Sequence, residues 1–228
     1  MNELDGLEKR IRFSDAKLAG TISIGTYESF AIRLWPKFIR GFSQKYPYVQ
    51  ISLVSGSYKQ LRRKLFEGQI DIAITAQIED FPTLCFETLY MDSFGFYCST
   101  SRKEIPRQIS QNTFEQIKHL PLITVPSSDC YKFSLDRLLW ENKIQPSLIY
   151  TLDTFEAARE LALEGVGIAV IPRAIVKNAT SKQRIKELIF SDHKGAIGKH
   201  QIGILFQKDA VDDVLIQTVV SELKTNFQ

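Results

Sequence analysis

The chain has 228 residues, 44% of them hydrophobic and 24% charged, with a formal net charge of +3. This supplies a core for one large domain or two lobes and excludes a disordered chain. So mild a positive charge argues against nucleic-acid binding by this chain itself. No stretch reaches the roughly 18 uninterrupted apolar residues of a membrane helix. Glu3, Asp5, Glu8 and Asp15 break up the apolar centre that a signal peptide needs, so a cytoplasmic protein is expected. Cys85, Cys98 and Cys130 have neither an even count nor a metal-type spacing and read as reduced, mostly buried thiols.

At the start of the chain Leu4, Leu7, Ile11 and Leu18 recur at helical spacing among charged residues, a narrow apolar seam suited to a partner helix. Gly20–Gly25 then reads as a strand, Phe30–Tyr46 as one amphipathic helix and Pro47–Gly56 as a second strand. A second helix is carried on Leu61 and Leu65, and Glu67–Thr75 closes on a third apolar strand. Strands alternating with helices, each strand ending in small polar residues or glycine, are the pattern of a parallel α/β sheet.

Leu84–Met91 and Phe94–Cys98 alternate as two further strands, Arg102–Gln111 is polar and contains proline, and Thr113–Gln116 opens a short helix with capping-box spacing. The first pattern then returns: strand Leu122–Val125, helix Tyr131–Asn142, strand Ser147–Leu152, helix Thr154–Leu163, and strand Gly167–Ile171 halted by Pro172. Lys194–Lys199 reads as a loop, His200–Phe206 as a strand, and Val211, Val214, Leu215, Val219 and Leu223 form one face of a last helix.

The order of these parts, and the wording of residues 20–75 above all, resembles the effector-binding domain of LysR-type transcriptional regulators. The resemblance implies a periplasmic-binding-protein-like II fold: two Rossmann-like α/β lobes with a ligand cleft between them, joined by two crossing strands. It sets residues 1–18 as the tail of a linker helix, 19–97 with 200–228 as the first lobe, and 98–199 as the second. It also implies that the winged helix-turn-helix is absent from this chain, which would be a sensor fragment or a stand-alone sensor.

In open α/β sheets ligands lie beyond the carboxyl ends of the strands, where helix starts offer amides and a partial positive charge. The strand ends here carry Thr26, Tyr27, Glu28 and Ser29, then Ser57, Thr75, Ser127 with Ser128, Thr154, and Pro172. These are the candidate effector-binding residues, and Ser29, Ser57, Ser128 and Thr154 match positions where the resembled family contacts effectors. Each hydroxyl also reads as a plain helix cap, since Ser57 with Gln60 and Asp153 with Glu156 have capping-box spacing. Arg33, Lys132 and Arg173 are possible partners for a ligand carboxylate. Glu28 would suit an ammonium group or simply favour the helix dipole.

No Gly-x-Ser-x-Gly elbow or phosphate-binding glycine loop is present, and the three histidines lie far from any ligand at metal spacing. No catalysis, cofactor or metal is expected. The function expected is effector sensing: an organic acid or amino acid is bound and DNA binding controlled through a separate domain. The alternative is a solute-binding protein of a transport system and, behind it, an enzyme on the same fold. The resemblance implies a homodimer, with a tetramer for a full-length form, and Trp35, Phe38, Ile39 and Phe42 supply an apolar surface for it.

Overall fold

A computed structural model of the protein describes residues 18–78, 80–110, 115–125, 135–137, 139–140, 145–176, 184–190 and 197–227. Its elements in chain order are β1 (Ala19–Thr26), α1 (Glu28–Arg33), α2 (Trp35–Lys45), β2 (Tyr48–Ser55), α3 (Tyr58–Phe66), β3 (Ile72–Ala76) and β4 (Leu84–Ser99). There follow β5 (Gln108–Ile109), β6 (Leu122–Thr124), β7 (Ile149–Thr151), α4 (Phe155–Leu163), β8 (Ile168–Pro172), β9 (Ile185–Phe190), β10 (Ile197–Gln207) and α5 (Val214–Phe227). The chain divides into two compact units, one of residues up to Tyr90 with Gln201–Gln228 and the other of Met91–His200. It crosses at 90/91 and 200/201, where the sequence reading set 97/98 and 199/200.

In the first unit the strand order is β2, β1, β3, β10. β1 runs parallel to β2 from Ala19↔Tyr48 to Thr26↔Ser55 and parallel to β3 from Ile24↔Ile72 to Thr26↔Ile74, while β10 is antiparallel to β3. Alternation along these strands sorts the side chains onto two faces. Ile22, Ile24, Ile72, Ile74, Ile204 and Phe206 pack with Trp35, Phe38 and Phe42 of α2 and Val219, Val220 and Leu223 of α5. Ala73 and Leu205 point the other way, onto Leu61 and Leu65 of α3.

The apolar stretch from Phe30 to Tyr46 is two helices rather than one. Pro36 has no N–H to give and its ring clashes with the carbonyl four residues back, so α1 ends on Leu34 N donating to Phe30 O and α2 starts afresh with Pro36 in its first turn. Of the four residues expected to form a surface for a partner, Ile39 is half-buried against the core and the other three are buried. Trp35, Phe38 and Phe42 are buried in their own unit in a row of ring contacts that ends on Tyr46: Trp35 meets Phe38 edge-on at 5.2 Å, Phe38 stacks on Phe42 at 5.3 Å, and Phe42 meets Tyr46 at a tilt at 4.7 Å. A small two-sided sheet must cover both its faces with helices, and α2 is the cover for one of them.

In the second unit β4 lies between β8 and β9, and β8 leads on to β6 and β7, which run parallel to one another. Phe94, Phe96, Leu122, Ile168 and Val170 form one core face with Ile105, Ile117, Leu120 and Leu135. Tyr97, Ile123, Ala169 and Ile171 form the other, against Ala158 and Ala162 of α4.

Residues 84–99 make one unbroken strand where two were expected, and the polar pair Asp92 and Ser93 lies buried inside it. β10 starts at Ile197, inside the stretch read as a loop, with Gly198 at φ 54°. β5 and β9 were not foreseen. β5 pairs with β9, Gln108 opposite Ile189, and β9 with β4, Tyr97 opposite Glu187; the pairing is long-range and, for β5, overrides the polar composition of residues 102–111. The expected helix at 131–142 lies partly outside the described residues; 135–137 and 139–140 are helical. The seam of residues 1–17, Thr113 and Cys130 also lie outside them. Cys98 is buried and Cys85 half-buried, both as free thiols. Among the described residues no helix is long and apolar enough to cross a membrane.

Candidate functional site

The register of the three parallel strands in the first unit sets Thr26 beside Ser55 and Ile74, and β3 runs two residues further to Ala76. Gly56 N donates to Thr26 O at 3.1 Å and links the ends of β1 and β2. Gly25 leaves room here: a Cβ would sit 2.5 Å from Ile70 Cδ1 and 2.9 Å from Leu61 Cδ2, so a larger residue would make those two buried side chains shift.

Most of the hydroxyls at this edge have internal partners. The Thr26 hydroxyl accepts the Trp35 indole N–H at 3.1 Å. The Tyr27 phenol meets the Thr75 hydroxyl at 2.7 Å and accepts the Ala76 N–H at 3.3 Å. Ser57 is the N-cap of α3 in a complete capping box: its hydroxyl accepts Gln60 N at 3.4 Å, and Ser57 N donates to Gln60 Oε1 at 2.9 Å. Ser29 is buried in the first turn of α1, and Glu28 beside it is exposed.

In the second unit β6 and β7 end together, with Thr124 opposite Thr151 and Leu152 N donating to Thr124 O at 2.9 Å, while β8, paired with β6 as far as Ile123↔Ala169, runs on to Pro172. Thr154 caps α4, its hydroxyl accepting Ala157 N at 3.2 Å. The cap is therefore Thr154 and not Asp153, since it is the Thr154 hydroxyl that takes the Ala157 amide, and Glu156 is buried beside Arg159. Pro172 ends β8 opposite Phe94. Ser127 and Ser128, with Tyr131 and Lys132, lie outside the described residues.

Arg173, a possible carboxylate partner, is engaged within the protein. Its Nε donates to Glu187 Oε1 at 3.0 Å, and a second nitrogen reaches the same oxygen. Burial pulls the guanidinium pKa down, but the hydrogen bond and charge of Glu187 more than offset this and leave it raised. Tyr97 lies beside this pair, and burial first, then the Glu187 carboxylate, push its phenol above the usual tyrosine range.

Three residues that sequence reasoning missed share the second unit's edge. Asp92 and Ser93 follow from the Phe94–Pro172 pairing, which sets them just past the end of β8, and both are buried. Asp92 Oδ1 accepts Ser93 N at 2.8 Å. Thr124 occupies the end of β6 as Thr26 does that of β1. The signal for the first two was a charged residue and a hydroxyl inside an apolar strand; it read as a gap between strands. Among the described residues no group of three or more His, Cys, Asp or Glu is disposed to hold a metal ion.

A family model described as the LysR substrate binding domain matches residues 15–228. The chain is 25% identical over 205 residues to the HTH-type transcriptional regulator YkuM of Bacillus subtilis, covering 88% of this chain and 64% of that protein. It thus spans less than two thirds of that relative's length. The regulatory domain of CrgA, a LysR-type transcriptional regulator of Neisseria meningitidis, superposes with a TM-score of 0.74 at 20% identity, over 92% of this chain and all of that one. The Synechocystis CcmR regulatory domain in complex with 2-PG superposes at 0.71 and 14% identity, over 92% of this chain and 98% of that one. These likenesses agree on the α/β fold of LysR regulatory domains. They do not favour a transport-type solute-binding protein, and the relatives they name are regulators rather than enzymes.

Proposed function

The chain belongs to the LysR substrate-binding domain family, and from that premise we propose that it binds a small carboxylate-bearing metabolite, an organic acid or an amino acid, at the carboxyl ends of its parallel strands. The observation that carries this reading is the shared chemistry of those ends. In each unit two parallel strands finish in register, Thr26 with Ser55 and Thr124 with Thr151, and each unit has a hydroxyl-capped helix, Ser57 on α3 and Thr154 on α4, with Thr26, Ser29 and Thr75 in the first unit and Pro172 in the second alongside. Ser128 completes the proposed set with Ser127. Helix starts with free amide capacity favour an anion by charge and by hydrogen bonding. In the complete protein the bound state controls a helix-turn-helix DNA reader by shifting the domain between two arrangements, and the working compartment is the cytoplasm.

The capping roles of Ser57 and Thr154 do not compete with this reading, because a cap hydroxyl uses its lone pair and keeps its hydrogen for a ligand. They do determine the right substitution. Ser57→Asp retains an excellent cap while setting a negative charge where the ligand carboxylate would lie. The expected result is an unchanged melting temperature without ligand and loss of the thermal shift given by carboxylates in the parent. A ligand at a hundredfold its dissociation constant stabilises by about 2.7 kcal/mol, a readily measured shift. An equal shift in both proteins would refute the proposed site.

We also propose a homodimer, formed through outer strands rather than through α2. β2 and β7 are outer strands of their units and carry exposed Tyr48, at 66%, and Ile149, at 57%, beside Leu148 and Tyr150. An exposed apolar edge is a template for pairing with another chain.

A further inference from the structure

Tyr27 holds a position that a ligand oxygen would suit. β1 and β3 stay in register only as far as Thr26 and Ile74. Three residues further on, just past β3, Gln77 N donates to Gln201 O on the β10 side, so the preceding amide, that of Ala76, points toward β1. No backbone carbonyl of β1 meets it there. The phenol oxygen of Tyr27 does, accepting from Ala76 N at 3.3 Å while bonding the Thr75 hydroxyl at 2.7 Å. Thr75 and Ala76 are both buried, so the Ala76 amide needs an oxygen partner whatever the state of the domain, while the Thr75 hydroxyl is shared between the Tyr27 phenol and Ala76 O at 3.4 Å. Thr26 is not a substitute, since its hydroxyl is held by Trp35.

We propose that Tyr27 is a displaceable internal stand-in for the effector, and that an effector carboxylate takes the Ala76 amide and the Thr75 hydroxyl from it. The inference rests on reading these strand ends as the effector site, and it sharpens the ligand chemistry: the group that enters is an oxygen able to accept two hydrogen bonds. A carboxylate exceeds a phenol in that role because its hydrogen bonds are charge-assisted. Tyr27 is half-buried and its ring leans on Phe30 at 5.6 Å, so it leaves by turning about its own side-chain bonds while the strand stays fixed. Tyr27 thereby sets affinity and selects against ligands that offer only donors.

The test compares the parent with Tyr27→Phe, which keeps the ring and removes the competing oxygen. Both proteins are titrated by thermal shift and calorimetry with acetate, succinate, citrate, the twenty amino acids and inorganic phosphate. The expected result is that any carboxylate bound by the parent binds Tyr27→Phe roughly three- to tenfold more tightly, the return of one neutral hydrogen bond. The Ala76 amide is expected to exchange faster in Tyr27→Phe and to regain protection when that carboxylate is added. Equal or weaker binding by the variant overturns the proposal, as does an Ala76 amide that the ligand fails to protect or a panel with no binder at all. If the gain is missing while Ser57→Asp still abolishes binding, this inference falls and the effector reading stands. If binding survives Ser57→Asp, the reading itself falls.

Discussion

The indole nitrogen of Trp35 donates to the Thr26 hydroxyl at 3.1 Å, with both side chains wholly buried. This bond joins the end of β1 to the start of α2 across the break between the two helices. It gives Thr26, a candidate effector contact, a structural duty first. Thr26→Val keeps the shape and strands the indole N–H, and should cost about 1–3 kcal/mol in denaturant unfolding. Full stability in Thr26→Val would show that the indole finds another acceptor.

Phe38 and Phe42 should behave as core residues. Each is buried in the aromatic stack of α2, so Phe42→Ala should cost about 3–5 kcal/mol, the loss of a large buried ring plus the cavity it leaves. A variant that unfolds at the parent's denaturant midpoint but sediments differently would return Phe42 to a role in assembly.

Assembly is expected to respond at Ile149 instead. Ile149→Lys places a charge on the outer strand β7, where the native side chain is exposed, and should leave the melting temperature nearly unchanged. The expected outcome at micromolar concentration is a shift of the sedimenting species toward the 26.1 kDa monomer. A parent that is already monomeric, or an Ile149→Lys variant that dimerises as the parent does, would rule this edge out.

Cys98 makes stability fall in alkali. Burial pushes its thiol from 9.0 up to about 11, with Lys186 nearby only partly opposing this. Between those two values the unfolded chain gives up the thiol proton while the folded chain keeps it, so folding weakens as pH rises. Below pH 9 both states hold the proton and Cys98 contributes no slope. Unfolding curves at pH 8, 9, 10 and 11 should show the decline, and Cys98→Ala should show less of it. Tyr97, whose phenol is also held up by burial, continues the decline at the upper end. Rapid labelling of native Cys98 by a thiol reagent at pH 8 would contradict the picture.

Much of the fold was legible because its signals are local. Period-2 and period-3.6 apolar patterns depend on neighbours along the chain, so β1, β2, β3, α3, α4 and β8 could be read from side-chain spacing alone, and the hydroxyls at strand ends could be picked out before their partners were known. Pro36 is a local signal too, a helix start masked by the amphipathic pattern on either side of it.

What the tertiary structure decided was where apolar faces and polar groups spend their lives. A helix pattern tells that a face is apolar but not what covers it, so the sequence alone could not distinguish Trp35, Phe38 and Phe42 as core from the same residues as an interface. Likewise a threonine or arginine announces hydrogen-bonding capacity without naming its partner. Thr75 is joined to Tyr27 from 48 residues away, Arg173 to Glu187 on a strand that long-range pairing alone creates, and Asp92 lies at the strand edge because β4 continues where a break was expected. Local sequence fixes the period of a segment and the chemistry it carries; which groups meet is set by strand register and helix docking, which depend on contacts between residues remote in the chain.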